Sequence, residues 1–244
     1  MKNILFFSSL FILPLLLYGQ TSQDYILRAN IKHENKDYQG AINELSKAID
    51  IDSLNKYAFV YRGDSKTEIG DYEGAIEDYS KALDIDNRYA IAFYYRANIK
   101  AKLQNFEDAL VDYNALMKIV PLFAMGFNNR GIVKLKLKDY KGGISDFNRA
   151  IEIDNNFAMA YVNRGNARID VHDITNAILD FNQAIIINPK LADAYDARGF
   201  SKILIGQKQS GCIDLFKAKE LGKGETQILI KEFCKDFKPP RPLE

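Results

Sequence analysis

The chain has 244 residues, 33 basic and 32 acidic side chains, and a net charge of +1. Aliphatic and aromatic residues are plentiful and about a quarter of the chain is charged, a balance that excludes a disordered chain and leaves no positive field to attract nucleic acid or an anionic membrane. Two cysteines and two histidines leave little material for a disulfide framework or a metal centre, and no metal or cofactor is expected.

Lys2 precedes an apolar run from Ile4 to Tyr18, closed by Gly19. A basic start, a short apolar stretch and a small residue at the exit read as a signal peptide over residues 1–19. Leu17, three places from that cut, is larger than cleavage prefers, so the site of cleavage stays open. The rival reading is a retained anchor. Against it, the run is 15 residues long and holds Ser8, Ser9 and Pro14, whereas a spanning helix needs about 20 residues. No cysteine stands at the junction, which argues against a lipoprotein signal. Removing residues 1–19 takes away Lys2 and leaves 32 basic and 32 acidic side chains. The expected home is outside the cytoplasm, most simply the periplasm, with secretion or envelope association as alternatives. Membrane contact is expected only through the leader before cleavage.

Internal self-similarity fills the rest of the chain. Residues 56–89 align without a gap on 90–123, and the same frame covers 22–55, 124–157, 158–191 and 192–225. An aromatic stands fourth in each repeat: Tyr25, Phe59, Phe93, Phe127, Tyr161 and Tyr195. Place eight holds Gly or Ala, from Ala29 to Gly199, and place 20 is small, from Ala41 to Gly211. Alanine recurs at place 27, except that Leu116 breaks it in the third repeat. Each repeat carries two apolar stripes of helical period, such as Ala75, Ile76, Tyr79, Ala82 and Leu83, with a turn such as Gly70-Asp71-Tyr72 ahead of the second. Asp71, Asp139 and Asp173 suit N-caps of second helices. Small residues at places 8, 20 and 27 allow backbones to approach to about 8–10 Å, with the fourth-place aromatic filling the remaining gap. One hairpin cannot bury both stripes, but stacked neighbours can.

After the last repeat, residues 226–237 read as a capping helix, with Ile230, Cys234 and Phe237 on one face and Leu229 and Phe233 beside them. The tail 238–244 holds three prolines and is read as extended or flexible.

In period and pattern the chain resembles the tetratricopeptide repeat family over more than four-fifths of its length. The resemblance implies an all-α, right-handed superhelical solenoid of six helix-turn-helix repeats plus the capping helix. It also implies a concave groove lined by first helices, built to bind a peptide or protein partner rather than to catalyse. Carried onto this chain, the groove residues are Tyr57, Tyr61 and Asp64, then Tyr94, Tyr95 and Asn98, then Asn128 and Asn129, then Asn163 and Asn166. Asn30 stands at one end, Asp196 and Phe200 at the other. Asn amides donate and accept, so spaced amides can hold a peptide backbone without demanding one sequence. Tyr adds rigid contact area with a polar tip. A plain solvated wall is the alternative. The family's carboxylate clamp is missing, because no Lys occupies place two and place five holds Ile26, Val60, Tyr94, Asn128, Val162 and Asp196. Two further function readings stand beside peptide binding: a structural assembly subunit of an envelope complex using its convex face or ends, and, remotely, an enzyme with an unrecognised site.

Two charge ladders run through the repeats. Place seven is Arg (Arg28, Arg62, Arg96, Arg130, Arg164, Arg198) and place 23 is acidic (Glu44, Asp78, Asp112, Asp146, Asp180, Asp214). One acid per arginine points to pairing within the architecture. Place 11 is basic (Lys32, Lys66, Lys100, Lys134, Arg168, Lys202), and these side chains are expected to lie along apolar neighbours with their charges in water. Cys212 and Cys234 fall on helices expected to run antiparallel, so a disulfide pinning the cap and two buried thiols are both open. His33 and His172 lack a nucleophile arrangement and are read as surface residues.

Overall fold

A computed structural model describes residues 21–237, which are helical throughout and contain no strand. The leader at 1–19 and the tail at 238–244 lie outside the described residues. The chain divides into two bodies, one up to Asp86 and one from Asn87 onward.

The first body holds α1 (Ser22–Glu34), α2 (Tyr38–Ile51), α3 (Lys56–Glu68) and α4 (Tyr72–Ile85). Helices α1 and α2 pack together, α3 and α4 likewise, and α2 packs on α3. Its core joins Ile26, Ala29, Ala41, Leu45, Ala48 and Ala58.

The second body holds α5 (Ala90–Lys102), α6 (Phe106–Ile119), α7 (Ala124–Lys136), α8 (Tyr140–Ile153), α9 (Ala158–Asp170), α10 (Ile174–Ile187), α11 (Ala192–Leu204) and α12 (Lys208–Glu220). A 3-10 turn over Gly224–Thr226 leads into α13 (Gln227–Phe233). Each helix packs on the next, and the first helices α5, α7, α9 and α11 also touch one another in sequence, so they form one wall.

The two helices of a repeat are joined by a turn that needs one left-handed residue. Lys36, Gly70, Gln104, Lys138, His172 and Gly206 all have φ between 61° and 85°. All six stand at place 15. Glycine adopts this backbone without strain, whereas a side chain there costs about 1–2 kcal/mol. His172 is thereby explained as a turn residue.

Capping is more selective than the sequence implied. Asp37, Asp71 and Asp139 each accept from a glycine N–H three residues on, at 2.9–3.0 Å. A Cβ on Gly40, Gly74 or Gly142 would lie 2.0–2.3 Å from the capping carboxylate. Asn176 occupies the matching place behind Asp173, and Asp173 makes no backbone cap bond. It accepts both its hydrogen bonds from the Asn176 amide instead.

The fourth-place aromatics are not the deepest rings. That place belongs to place 24, where Tyr79, Tyr113, Phe147 and Phe181 are fully buried. A Cβ at Gly63, Gly131 or Gly165 would lie 2.5–2.7 Å from the ring of Tyr79, Phe147 or Phe181. The eighth-place glycines therefore make room for a ring on the second helix. The fourth-place aromatics instead lie beneath the arginine three residues on, at 5.2–5.7 Å from guanidinium carbon to ring centre.

In five repeats the place-seven arginine grips the place-23 aspartate with two parallel bonds of 2.6–3.1 Å, as in Arg130–Asp146 and Arg164–Asp180. This two-pronged geometry is the strong form of the ion pair. The third donor of the guanidinium reaches back to the preceding repeat, so that Arg62 bonds Ser46, Arg130 Asn114, Arg164 Asn148 and Arg198 Asn182. Each of these four arginines thus fixes its own hairpin and clamps it to the one before.

The reading of place 11 as a solvated face is corrected. Lys66, Lys100, Lys134, Arg168 and Lys202 turn inward to the same aspartates at 2.6–2.9 Å. A buried carboxylate has lone pairs left after the guanidinium binds, and the cation one helical turn further on takes one of them. The first repeat departs from the scheme. Lys32 bonds Asp37, and Glu44 takes Lys47 while its other oxygen is buried without a partner. Glutamate is a methylene longer than aspartate, and within the described residues no preceding repeat offers Arg28 its third acceptor.

The capping helix is shorter than the span 226–237. It stops at Phe233, and the chain turns at Cys234, whose carbonyl accepts from the Phe237 N–H. Cys212 and Cys234 are joined in a disulfide, with Cα atoms 5.7 Å apart. Around it lie Leu215, Ile230, Leu229, Phe233 and Phe237.

Candidate functional site

In the first body, α3 carries Tyr57, Tyr61 and Asp64. Tyr57 is half exposed, with the Lys56 ammonium 5.4 Å from its ring centre. Tyr61 and Asp64 line a cavity of about 260 Å³ shared with Asn30, His33, Glu34 and Ser65. His33 is not a free surface residue: its Nδ1 lies 3.0 Å from the Ser65 hydroxyl and its ring meets Tyr38 edge-on at 5.0 Å.

Asp64 accepts a 2.8 Å bond from the hydroxyl of the buried Tyr79. Burial pushes its carboxyl up from 3.8 to about 6, with the Tyr79 bond and His33 pulling down and Glu68 pushing up. Because the folded value is raised, the folded chain holds a proton between the two values that the unfolded chain has lost. Stability from this group is therefore full below pH 3.8 and falls as pH climbs to about 6. Asn98 occupies the same place in the third repeat and accepts from the Tyr113 hydroxyl in the same way. Asp64→Asn is accordingly expected to keep the Tyr79 bond and melt roughly 2–4 °C higher than the parent at pH 8, with no difference at pH 4. Melting curves of the two proteins across pH 4–8 check this, and a gap that does not change with pH refutes it.

In the second body the amides form a ladder along the first-helix wall. Asn163 donates to the Asn128 carbonyl oxygen at 2.8 Å, Asn128 to Asn129 at 3.2 Å, and Asn129 to Asn98 at 3.1 Å and to the Tyr94 hydroxyl at 3.4 Å. Tyr113 donates to Asn98 from below. Burial pushes the Tyr113 hydroxyl well above the usual phenol range, so it stays a donor. Tyr94 also approaches the Met125 sulfur at 2.9 Å and sets its ring beside Tyr95 and Phe123.

Sequence reasoning placed these side chains on one wall but treated them as independent hooks. In the structure the four amides satisfy one another in part: Asn163, Asn128 and Asn129 each donate toward Asn98, which accepts, and this leaves Asn163 with an open side-chain carbonyl oxygen. Asn166 stands exposed. The signal that could have revealed the ladder is the diagonal of amides at places 9, 6, 5 and 6 of three consecutive repeats.

Among the described residues no cluster of three His, Cys, Asp or Glu side chains is placed to hold a metal ion. Nor is any described helix long and apolar enough to cross a membrane.

The family profile "TPR repeat" matches residues 63–104, and "Tetratricopeptide repeat" matches 25–53 and 126–157. No curated protein matches the chain. Among solved structures, the chain is similar to PilW, a type IV pilus biogenesis factor, with TM-score 0.75 and 17% identity over 87% of this chain and 99% of PilW. It is similar to PilF of Pseudomonas aeruginosa, with TM-score 0.74 and 17% identity over 86% and 97% of the two chains. YrrB, a TPR protein with an unusual peptide-binding site, gives TM-score 0.63 and 20% identity over 77% and 97%. At these identities the likeness speaks for the fold alone, an all-α helical repeat, and the profile matches locate tetratricopeptide repeats within residues 25–53, 63–104 and 126–157.

Proposed function

We propose that this protein is an exported, non-catalytic interaction module that holds a peptide or protein partner against its first-helix wall. One observation carries the reading: the amide ladder of the second body, polar and uncharged, ends in the open oxygen of Asn163 with the exposed Asn166 beyond it. A row of uncharged donors and acceptors matches the backbone of an extended peptide better than any charged ligand. Peptide binding by YrrB is compatible with this use of the fold. Export rests on the leader at residues 1–19, and a periplasmic home follows from it. Mass spectrometry of the mature N-terminus tests that part; an intact Met1 on the soluble protein contradicts it.

Asn163→Ala combined with Asn166→Ala removes the open end of the ladder while leaving Tyr113 its acceptor. This variant is expected to lose at least about tenfold in affinity for captured partners, the equivalent of about 1.4 kcal/mol. Equal capture by parent and variant refutes the wall as the binding surface.

A second reading is an assembly subunit that uses its second-helix faces. Val111, Leu179 and Ile213 all stand at place 22 and are 65%, 58% and 46% exposed. Their substitution by serine, with the wall intact, separates the two readings in the same capture assay.

A further inference from the structure

The third repeat breaks the pattern of its neighbours at two places, and both breaks meet at one corner. Place 27 is alanine in every other repeat and Leu116 here. Place 31 is Asp52, Asp86, Asp154 and Asn188 in four other repeats and Val120 here. Those polar residues have local work. Asp52, Asp154 and Asn188 accept from the N–H two residues on, at 3.0–3.2 Å. Asp86 pairs with Lys56 and closes the corner between its helices. In the last repeat the corresponding corner is closed by Lys223 with Asp193 and Asp196.

In the third repeat the corresponding places hold Ala90 and Val120 in place of the Lys56–Asp86 pair. A cavity of about 200 Å³ opens there, lined by Ala90, Ile91, Tyr94, Leu116, Val120 and Phe123. None of these side chains carries a charge. Ile91 and Val120 stand at its rim, 41% and 36% exposed. A dry cavity of about 150 Å³ accepts a benzene ring, so this one takes a single large apolar side chain. Tyr94 belongs both to the cavity and to the amide ladder, through the bond from Asn129. The hollow is therefore continuous with the row of donors and acceptors rather than an isolated greasy spot.

If the first-helix wall holds a peptide, as proposed above, the geometry points to a partner of defined chemistry: an extended segment whose backbone runs along the ladder and whose one large uncharged apolar side chain enters the corner between α5 and α6. The ladder is tolerant of sequence, because amides read only the backbone. The corner supplies the selectivity. A charged side chain there would be desolvated with no counter-ion.

The test is selection from a random dodecapeptide library displayed on phage, using the purified protein as bait. Two corner variants keep the fold within the vocabulary of this chain. Val120→Asp restores the residue of other repeats, and Ala90→Lys with Val120→Asp rebuilds the Lys56–Asp86 pair. Recovered peptides are expected to share one Leu, Ile, Met or Phe. Affinity should fall at least about tenfold on Val120→Asp or on changing that peptide residue to Ser, with little further loss when both changes are combined. Peptides with no shared apolar residue, or binding by both corner variants as tight as by the parent, overturn the corner. If Asn163→Ala with Asn166→Ala still weakens those peptides, the wall reading survives alone. Recovery of no peptide overturns both.

Discussion

Replacing Asp146 by leucine is expected to destabilise the protein by about 3–5 kcal/mol, more than replacing the arginine it binds. Asp146 is buried and accepts from Arg130 at 2.6 and 2.8 Å and from Lys134 at 2.9 Å. Removing it strands two cations that are only 15% and 18% exposed. Arg130→Met leaves the carboxylate with Lys134 still beside it, so that loss is expected near 2 kcal/mol, the worth of charged hydrogen bonds given up. The double variant should lose less than the two single losses together, by roughly 1–3 kcal/mol. Urea denaturation of the four proteins measures this cycle. Strictly additive losses would show that the three charges do not act as a group. Because Arg130 also bonds Asn114 of the preceding repeat, its loss should loosen the junction between repeats. Each repeat of a solenoid rests on its neighbours.

Reduction of the Cys212–Cys234 disulfide is expected to cost about 3 kcal/mol at the C-terminal end, from the entropy of opening a loop of 22 residues. The effect should be local. Helix α13 has seven residues, far below the length at which a helix persists unaided. Besides the disulfide it is held by the packing of Ile230, Leu229 and Phe233 and, at its N-terminus, by the 2.6 Å bond from Thr226 to Asp196. Hydrogen exchange with and without reductant should show protection lost over residues 224–237 and retained in α7 to α10. Unchanged protection of α13 would mean that packing alone holds the cap. A free-thiol count without reductant belongs to the same experiment, and two titratable thiols would remove its premise.

The sequence by itself determined the repeating all-α character, because each 34-residue unit carries two apolar stripes of helical period that a lone hairpin cannot bury and stacked neighbours can. It also pointed to the pairing of Arg at place seven with the acid at place 23, since equal numbers of opposite charges recur at fixed spacing. Place 11 was misread because a cation half-way along a helix looks the same in sequence whether it faces water or a buried carboxylate; only the packed second helix brings Asp112 to Lys100 and Asp180 to Arg168. The tertiary structure likewise decided which aromatic enters the core. Tyr79 and Phe181 press on Gly63 and Gly165 from another helix, a contact that no local pattern encodes. The same holds for the wall. Residue types at its positions were legible one by one, but that Asn163, Asn128, Asn129 and Asn98 bond one another depends on the offset between neighbouring helices, which packing sets and linear spacing does not.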